Sequence, residues 1–220
     1  MTIHFQREIA NLKKMILTLA AIVEESVRRA VTSIEERDRT LAEQVITRDS
    51  EIDQREMQVE EECLKILALY QPVAVDLRYV VAVLKINNDL ERIGDLAVNI
   101  AERTVFLAGR ADTGIPFAFG EICHRALDMV RDALDALMNL DLAKAQGVLA
   151  SDDEVDAINR QMYGRIAEAI RANPDKTETL MSYQSATRSL ERIADSATNI
   201  AEDVIYLIQG EIVRHGKAIR

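Results

Sequence analysis

The chain contains no tryptophan, 4% aromatic residues, 3 prolines and 8 glycines in 220 positions. Residues that interrupt helices are therefore scarce, and with Leu, Ala, Ile, Glu and Arg abundant the composition is that of a helical bundle. The two cysteines, Cys63 and Cys123, lie far apart, in apolar helical settings and outside any CxxC arrangement. That speaks against a disulfide or a metal-binding pair and for two reduced, buried thiols. No apolar run is long enough to cross a membrane: the best candidate, residues 15–23, is about half of the roughly 20 residues required. Arg7, Glu8, Lys13 and Lys14 interrupt any signal-peptide core, so the expected location is cytoplasmic.

Basic charge is also short, with 27 Lys and Arg against 37 Asp and Glu, a net charge of −10 and a pI near 4.9. Nucleic acid, which demands a basic face, is excluded as a partner, whereas cations or a protein with a basic surface are favoured. There is no Gly-rich phosphate loop and no Ser/His/Asp or Cys/His set. His4, His124 and His215 belong to no Glu-x-x-His spacing, which counts against a di-iron bundle enzyme. No catalytic machinery is legible, and the chain is expected not to be an enzyme.

What is present is a repeat. Residues 90–102 and 190–202 are identical at ten of thirteen positions, at an offset of 100. With about 100° of turn per residue, Glu91, Asp95, Asn99 and Glu102 fall within roughly 80° of one another on a helix. Ile86, Leu90, Ile93, Ala97 and Ile100 cluster on the opposite side, so a carboxylate stripe backs an amphipathic helix, twice. Gly94 is costly inside a helix, and its counterpart is Ala194; the position demands a small residue for close helix packing.

Apolar three-four spacing predicts a first helix over 3–36. Residues 37–40 break it, and Thr40 with Glu43 has the form of a capping box at the start of a second helix, which runs to about 70. Gln71-Pro72 marks a turn, and a third helix continues to about 108. The Gly/Pro-rich stretch 109–116 is the expected junction. The second half repeats the plan, with helices over about 117–139, from Asp141 (103 residues after Asp38) to a turn at Asn173-Pro174, and on to about Gly210. The expected fold is all-α, two tandem up-down three-helix bundles over 1–109 and 117–213, six long helices in all.

A second matched set lies on helices two and five, where Asp49 and Asp53 correspond to Asp152 and Asp156 at an offset of 103. Antiparallel helices bring together residues equidistant from their turn. Pro72 stands 19 residues from both Asp53 and Glu91, and 23 from both Asp49 and Asp95. Asp156 faces Glu191, and Asp152 faces Asp195, in the same way about Asn173-Pro174. Each half should thus gather four acidic side chains at one height. Four uncompensated carboxylates repel, and a cation is the natural remedy. All-oxygen ligands suit Mg²⁺, Mn²⁺ or Ca²⁺, ferric iron follows by the same hard-ligand reasoning, and Zn²⁺ stands among the candidates. Asn88, Asn99 and Asn199 share the acidic face and could add oxygen ligands. The bland alternative is a pair of solvated acidic faces, with Arg92 and Arg192 in weak local ion pairs.

Gln71-Pro-Val-Ala-Val-Asp76-Leu-Arg78, Leu90-Glu-Arg-Ile-Gly-Asp95, Leu190-Glu-Arg-Ile-Ala-Asp195, Asn199-Ile-Ala-Glu202 and Tyr206-Leu-Ile-Gln-Gly210 together closely resemble the PhoU family of bacterial phosphate-transport regulators, over nearly the whole chain. The resemblance implies a six-helix, two-repeat, usually dimeric protein with multinuclear metal sites on surface carboxylates of some members. It also implies a negative regulator of the phosphate-starvation response that relays the state of the phosphate ABC transporter, through its ATPase subunit, to a sensor histidine kinase. Association with membrane complexes would then be peripheral only. Glu91, Asp95, Glu191 and Asp195 carry over as the motif acids, with Asp49, Asp53, Asp152, Asp156, Glu102 and Glu202 beside them. The chain departs from the family pattern at Ala194-Asp195-Ser196, where the pattern has Gly-Asp-His. The rival readings are a carboxylate-bridged metal enzyme and a metal-free acidic helical adaptor.

Overall fold

The computed structural model describes residues 3–110 and 119–210 in full, and the backbone of 213–214 and 217–218. Most of the expected junction, with Pro116 and the start of the fourth helix at 117, lies outside the described residues, as does His215. Six helices follow the apolar periodicity: α1 (Ile3–Glu36), α2 (Arg39–Tyr70), α3 (Ala74–Ala108), α4 (Phe119–Asn139), α5 (Leu142–Ala172) and α6 (Thr177–Gln209). A single 3-10 turn, Pro174–Lys176, precedes α6, and a short antiparallel pair, Val213–Arg214 with Lys217–Ala218, follows it.

The breaks between helices have local causes. Before α2 and α5, Arg37 and Leu140 adopt the left-handed conformation, with φ of 56° and 52°, and the next N–H bonds back to Ser33 O at 2.8 Å or Ala136 O at 3.0 Å. The helix ends there because those back-bonds satisfy carbonyls that the helix would otherwise orphan. The same next residue, Asp38 or Asp141, then caps the following helix, its Oδ1 accepting from Leu41 N or Lys144 N at 3.0 Å. The expected Thr40/Glu43 capping box does not form. Thr40 lies inside α2, and Glu43 instead pairs with Arg39 at 2.8 Å. The aspartate wins because it sits one residue before the first helical position, with extended backbone geometry (φ −82°, ψ 99° at Asp38). Asp38→Ala and Asp141→Ala should each lower the unfolding free energy by about 1 kcal/mol, whereas Thr40→Ala should change it by less than about 0.5 kcal/mol. Urea unfolding midpoints check both.

The two three-helix repeats are fused along α3 and α6, which run antiparallel. At one end Arg78 Nε on α3 donates to Leu207 O at 3.1 Å, about two turns further along Lys85 Nζ meets Asp203 Oδ1 at 2.5 Å, and at the other end Arg110 pairs with Glu178 at 2.9 Å. The equivalent carbonyl of α3, Leu107 O, is capped by Arg37. Near the C-terminus of each long central helix, a backbone carbonyl thus accepts from an arginine of another element, Leu107 O in addition to its bond from Arg110 N at 3.0 Å. Side chains of all six helices form one continuous buried cluster, so the repeats share a core. Burial on α3 extends beyond the single expected stripe, to Ala82, Leu96 and Ala101 among others, because this helix packs against α6 as well as against α1 and α2. Across the α1–α4 contact, Arg131 forks onto Glu24, and Glu35 Oε1 accepts from Gly120 N at 2.8 Å.

Candidate metal centres

The α2–α3 and α5–α6 hairpins present the acids at the height that their turns dictate. In the first repeat Asp53 and Asp95 both act on Asp49, and Asp95, Asp53, Glu56 and Asp49 act on Glu91. Burial, then these like charges, push the Asp49 carboxyl up to about 6 and raise Glu91. The like-charge effects agree with the turn counting in placing Asp49, Asp53, Glu91 and Asp95 on one acidic face of the α2–α3 hairpin. In the second repeat burial is again the first cause, followed by repulsion: Asp152 is raised by Asp156, Asp195, Asp153 and Glu191, and Glu191 is raised by Asp195 and Asp156. Asp195 is raised by burial and Asp156, against Arg92 and Arg192, which favour its ionised form.

Glu102 and Glu202 do not join these groups. They lie seven residues past Asp95 and Asp195, about 10 Å along the helix, and Glu102 pairs with its neighbour Arg103 at 3.4 Å. Asn88 and Asn99 are exposed. Asn199 bonds to Asp89 across the α3–α6 seam, where burial and Asp203 raise the Asp89 carboxyl to about 6 against the pull of Arg92 and Lys85.

Three residues beside these acids were not foreseen. Glu56, raised by burial, Glu60 and Asp53, adjoins the first cluster, and the fully buried Asn87 donates to its Oε1 at 2.9 Å and to its backbone O at 3.0 Å. Spacing held the signal for Glu56, since 49, 53 and 56 lie on one helical face. Turn counting, however, sets Glu56 opposite position 88, one residue and about 100° of helix away from Asn87. In the second repeat Asn159 stands where Glu56 does, at an offset of 103, and hydrogen-bonds Glu191.

The smallness of position 94 has a direct cause. A Cβ on Gly94 would come within 3.0 Å of Ile52 Cδ1, 3.2 Å of Ile52 Cγ2 and 3.6 Å of Asp49 Oδ1. The glycine lets α2 and α3 approach where the acids face one another.

The donor set fits a hard cation in kind: carboxylates on facing helices, and two buried amide oxygens, Asn87 Oδ1 and Asn159 Oδ1, that have no hydrogen-bond partner. Among the described residues no three carboxylate, imidazole or thiol groups already converge on a coordination geometry. The other candidates are ordinary. Cys63 and Cys123 are free and buried, their thiols pushed by burial to about 12 and about 11, and His124 pairs with Asp128 at 2.8 Å on α4. No helix among the described residues is long and apolar enough to cross a membrane.

Comparison with known proteins agrees with this architecture. The family model described as "PhoU domain" matches twice, over residues 16–104 and 119–204. A curated relative from Pseudomonas putida, named "Phosphate-specific transport system accessory protein PhoU homolog", is 38% identical over 96% of this chain and 83% of its own length. The crystal structure of PhoU from Pseudomonas aeruginosa superposes with a TM-score of 0.87 at 36% identity, covering 94% of this chain and 99% of that one. A crystal structure titled as the phosphate transport system regulatory protein PhoU from Streptococcus pneumoniae gives 0.85 at 28% identity, over 96% and 99%.

Proposed function

The chain belongs to the PhoU family, and from that premise we propose that it is a negative regulator of phosphate uptake and of the phosphate-starvation response. It docks in the cytoplasm on the ATPase subunit of a phosphate ABC transporter, relays the transporter's state to a sensor histidine kinase, and acts as a homodimer without catalysing a reaction. The names of its relatives support the transport-accessory and regulatory part of this reading.

The single observation that carries the metal part is the duplication, at matched heights on two helix pairs, of a carboxylate cluster in which burial and then neighbouring acids raise Asp49 and Glu91 in the first repeat and Asp152 and Glu191 in the second. Asp49, Asp53, Glu91 and Asp95 would hold one set of ions, and Asp152, Asp156, Glu191 and Asp195 the other. The ions would be divalent or ferric: Mn²⁺, Mg²⁺, iron or Zn²⁺. Bound there, they would turn two acidic faces into neutral or positive ones and so control which partner surfaces can approach.

In a strain lacking the gene, phosphate-starvation genes should be expressed in phosphate-rich medium, and the wild-type gene should restore repression. An Asp95→Asn/Asp195→Asn double variant should restore it only in part. Unchanged expression on deletion would remove the regulatory reading. Full restoration by the double variant would favour a second reading, supported by the splayed side chains, in which the bare acidic faces meet a basic partner. Docking would then weaken steeply with salt and ignore chelators.

A further inference from the structure

Helices α1 and α2 meet along a seam whose polar bridges follow one register, each joining residues equidistant from the turn between them. Far from the turn, Lys65 Nζ donates to Glu8 Oε2 at 3.1 Å. Nearer to it, Arg48 Nη1 donates to Glu25 Oε1 at 3.3 Å, and Arg29 donates to Gln44. Between these bridges the same register sets Thr18 opposite Arg55, with Lys14 one turn, about 6 Å, further along α1. An acid would complete the series there, and two cations stand instead. Lys14 and Arg55 have no carboxylate partner among the described residues. The neighbouring acids of the seam are spent elsewhere, Glu51 on Arg48 at 3.7 Å and Glu62 on Lys65 at 3.0 Å.

The gap in the series is a cleft of about 180 Å³, with Asn11, Lys14 and Thr18 on one side, Arg55 and Gln58 on the other, and the buried Val59 beneath. No carboxylate lines it. Gln58 Oε1 accepts from Arg55 Nη1 at 3.3 Å, which leaves its Nε2 and the rest of the guanidinium to donate. Asn11 Nδ2 is spent only on the Met15 thioether at 3.6 Å, a weak acceptor. In a chain with a net charge of −10, two unpaired cations and two amide donors around one cleft are suited to an anion. The second repeat lacks this lining: at the common offset of 103, Thr18 is replaced by Glu121 and Arg55 by Ile158.

We propose that the α1–α2 cleft binds a small free dianion, a tetrahedral oxyanion of the phosphate or sulfate class. The planar fork of Arg55 suits two oxygens of such a ligand, the Lys14 ammonium a third, and the Gln58 and Asn11 amides add neutral donors. Two negative charges match the two unpaired cations, whereas a halide or a lone carboxylate leaves one of them unneutralised. The site is separate from the acidic faces, which α2 turns toward α3, and requires no metal.

Nuclear magnetic resonance of ¹⁵N-labelled full-length protein, titrated with sodium phosphate at pH 7.5 and constant ionic strength, tests this. The Arg55 Nε–H, the Gln58 and Asn11 side-chain amides and the backbone amides around them should shift together and saturate, with Kd about 1 mM. Sulfate should reproduce the shifts, chloride should not, and the α4–α5 seam should stay still. Lys14 and Arg55 are exposed, so Lys14→Gln and Arg55→Gln should fold normally and each weaken binding about fivefold. Lys14→Glu, which supplies the missing acid, should abolish it. Shifts in wild type that do not saturate, equal shifts with chloride, or an undiminished response in the folded Lys14→Gln/Arg55→Gln double variant would overturn the proposal.

Discussion

Gly94→Val should destabilise the protein by about 3 kcal/mol or more, because even one methyl group at this position already crowds Ile52. The Cβ alone would stand 3.0 Å and 3.2 Å from two carbons of Ile52, a fully packed side chain that is 2% exposed. Overpacking of a core typically costs about 1–3 kcal/mol, and a β-branched residue adds rotamer restriction in the helix. The second repeat contains its own remedy. It carries Ala194 where the first has Gly94, and Val155 where the first has Ile52, at offsets of 100 and 103. One carbon has moved across the helix pair.

Gly94→Ala should therefore cost about 1 kcal/mol net, overpacking outweighing the gain in helix propensity. Ile52→Val alone should cost about 1 kcal/mol through the cavity that it leaves. The double variant, which copies the second repeat, should lie close to wild type. A coupling of about 1–2 kcal/mol from a urea-unfolding double-mutant cycle is the expected result; simple additivity would mean that the contact does not control the spacing of α2 and α3. Because the same Cβ would reach within 3.6 Å of Asp49 Oδ1, Gly94→Val should also weaken metal retention by the first cluster, while Ile52→Val should not.

Metal-free protein should become more stable as the pH falls from 7.5 to about 5, the reverse of ordinary acid denaturation. Asp49 and Asp89 are both raised to about 6 from a usual value near 3.8. Above pH 6 both are ionised in the folded state at a cost that the unfolded chain does not bear. As the pH falls through 6 they take up protons in the folded state first, and the penalty is relieved down to about pH 4, where the unfolded chain is protonated as well. Unscreened, a carboxyl raised this far would contribute about 3 kcal/mol. Solvent screening of these partly exposed carboxyls reduces that to about 1 kcal/mol each, or a rise in melting temperature of about 5 °C for the pair in a chain of this size. Below about pH 4.5 the gain should reverse, since Glu24, held low by Arg131 and Arg28, loses its ion pairs on protonation.

Mn²⁺ at 100 times its dissociation constant should add about 2.7 kcal/mol at pH 7.5, and less at pH 5, where protons compete for the same oxygens. Asp49→Asn should remove about half of the acid-side gain together with most of the first cluster's metal response. Asp89→Asn should remove the other half and leave the metal response intact, because its partners, Asp203, Asn199, Arg92 and Lys85, belong to the α3–α6 seam. Thermal melts in chelator and in Mn²⁺ across this pH range would decide. A melting temperature that falls steadily below pH 7.5 and ignores Mn²⁺ would contradict the electrostatics of both sites.

The sequence by itself determined the elements and their repetition. Apolar residues at three-four spacing set six helices, and the Asp38 and Asp141 equivalence marked two of their starts. Counting outward from Pro72 and Asn173-Pro174 placed Asp49 and Asp53 opposite Glu91 and Asp95, and their counterparts likewise. These features are legible because helical rise and hairpin register are one-dimensional, fixed by spacing along the chain. Only the tertiary structure decided that α3 and α6 fuse the repeats into one core, burying α3 beyond its expected stripe and pairing Lys85 with Asp203. It also put Asn87, and not Asn88, beside Glu56, and gave Arg37 and Arg78 the carbonyls of distant helices. Each of these depends on how far a helix is rotated about its own axis and on what it packs against. One residue of register turns a helix face by about 100°, and the packing of the neighbouring helices resolves a rotation that spacing along the chain does not.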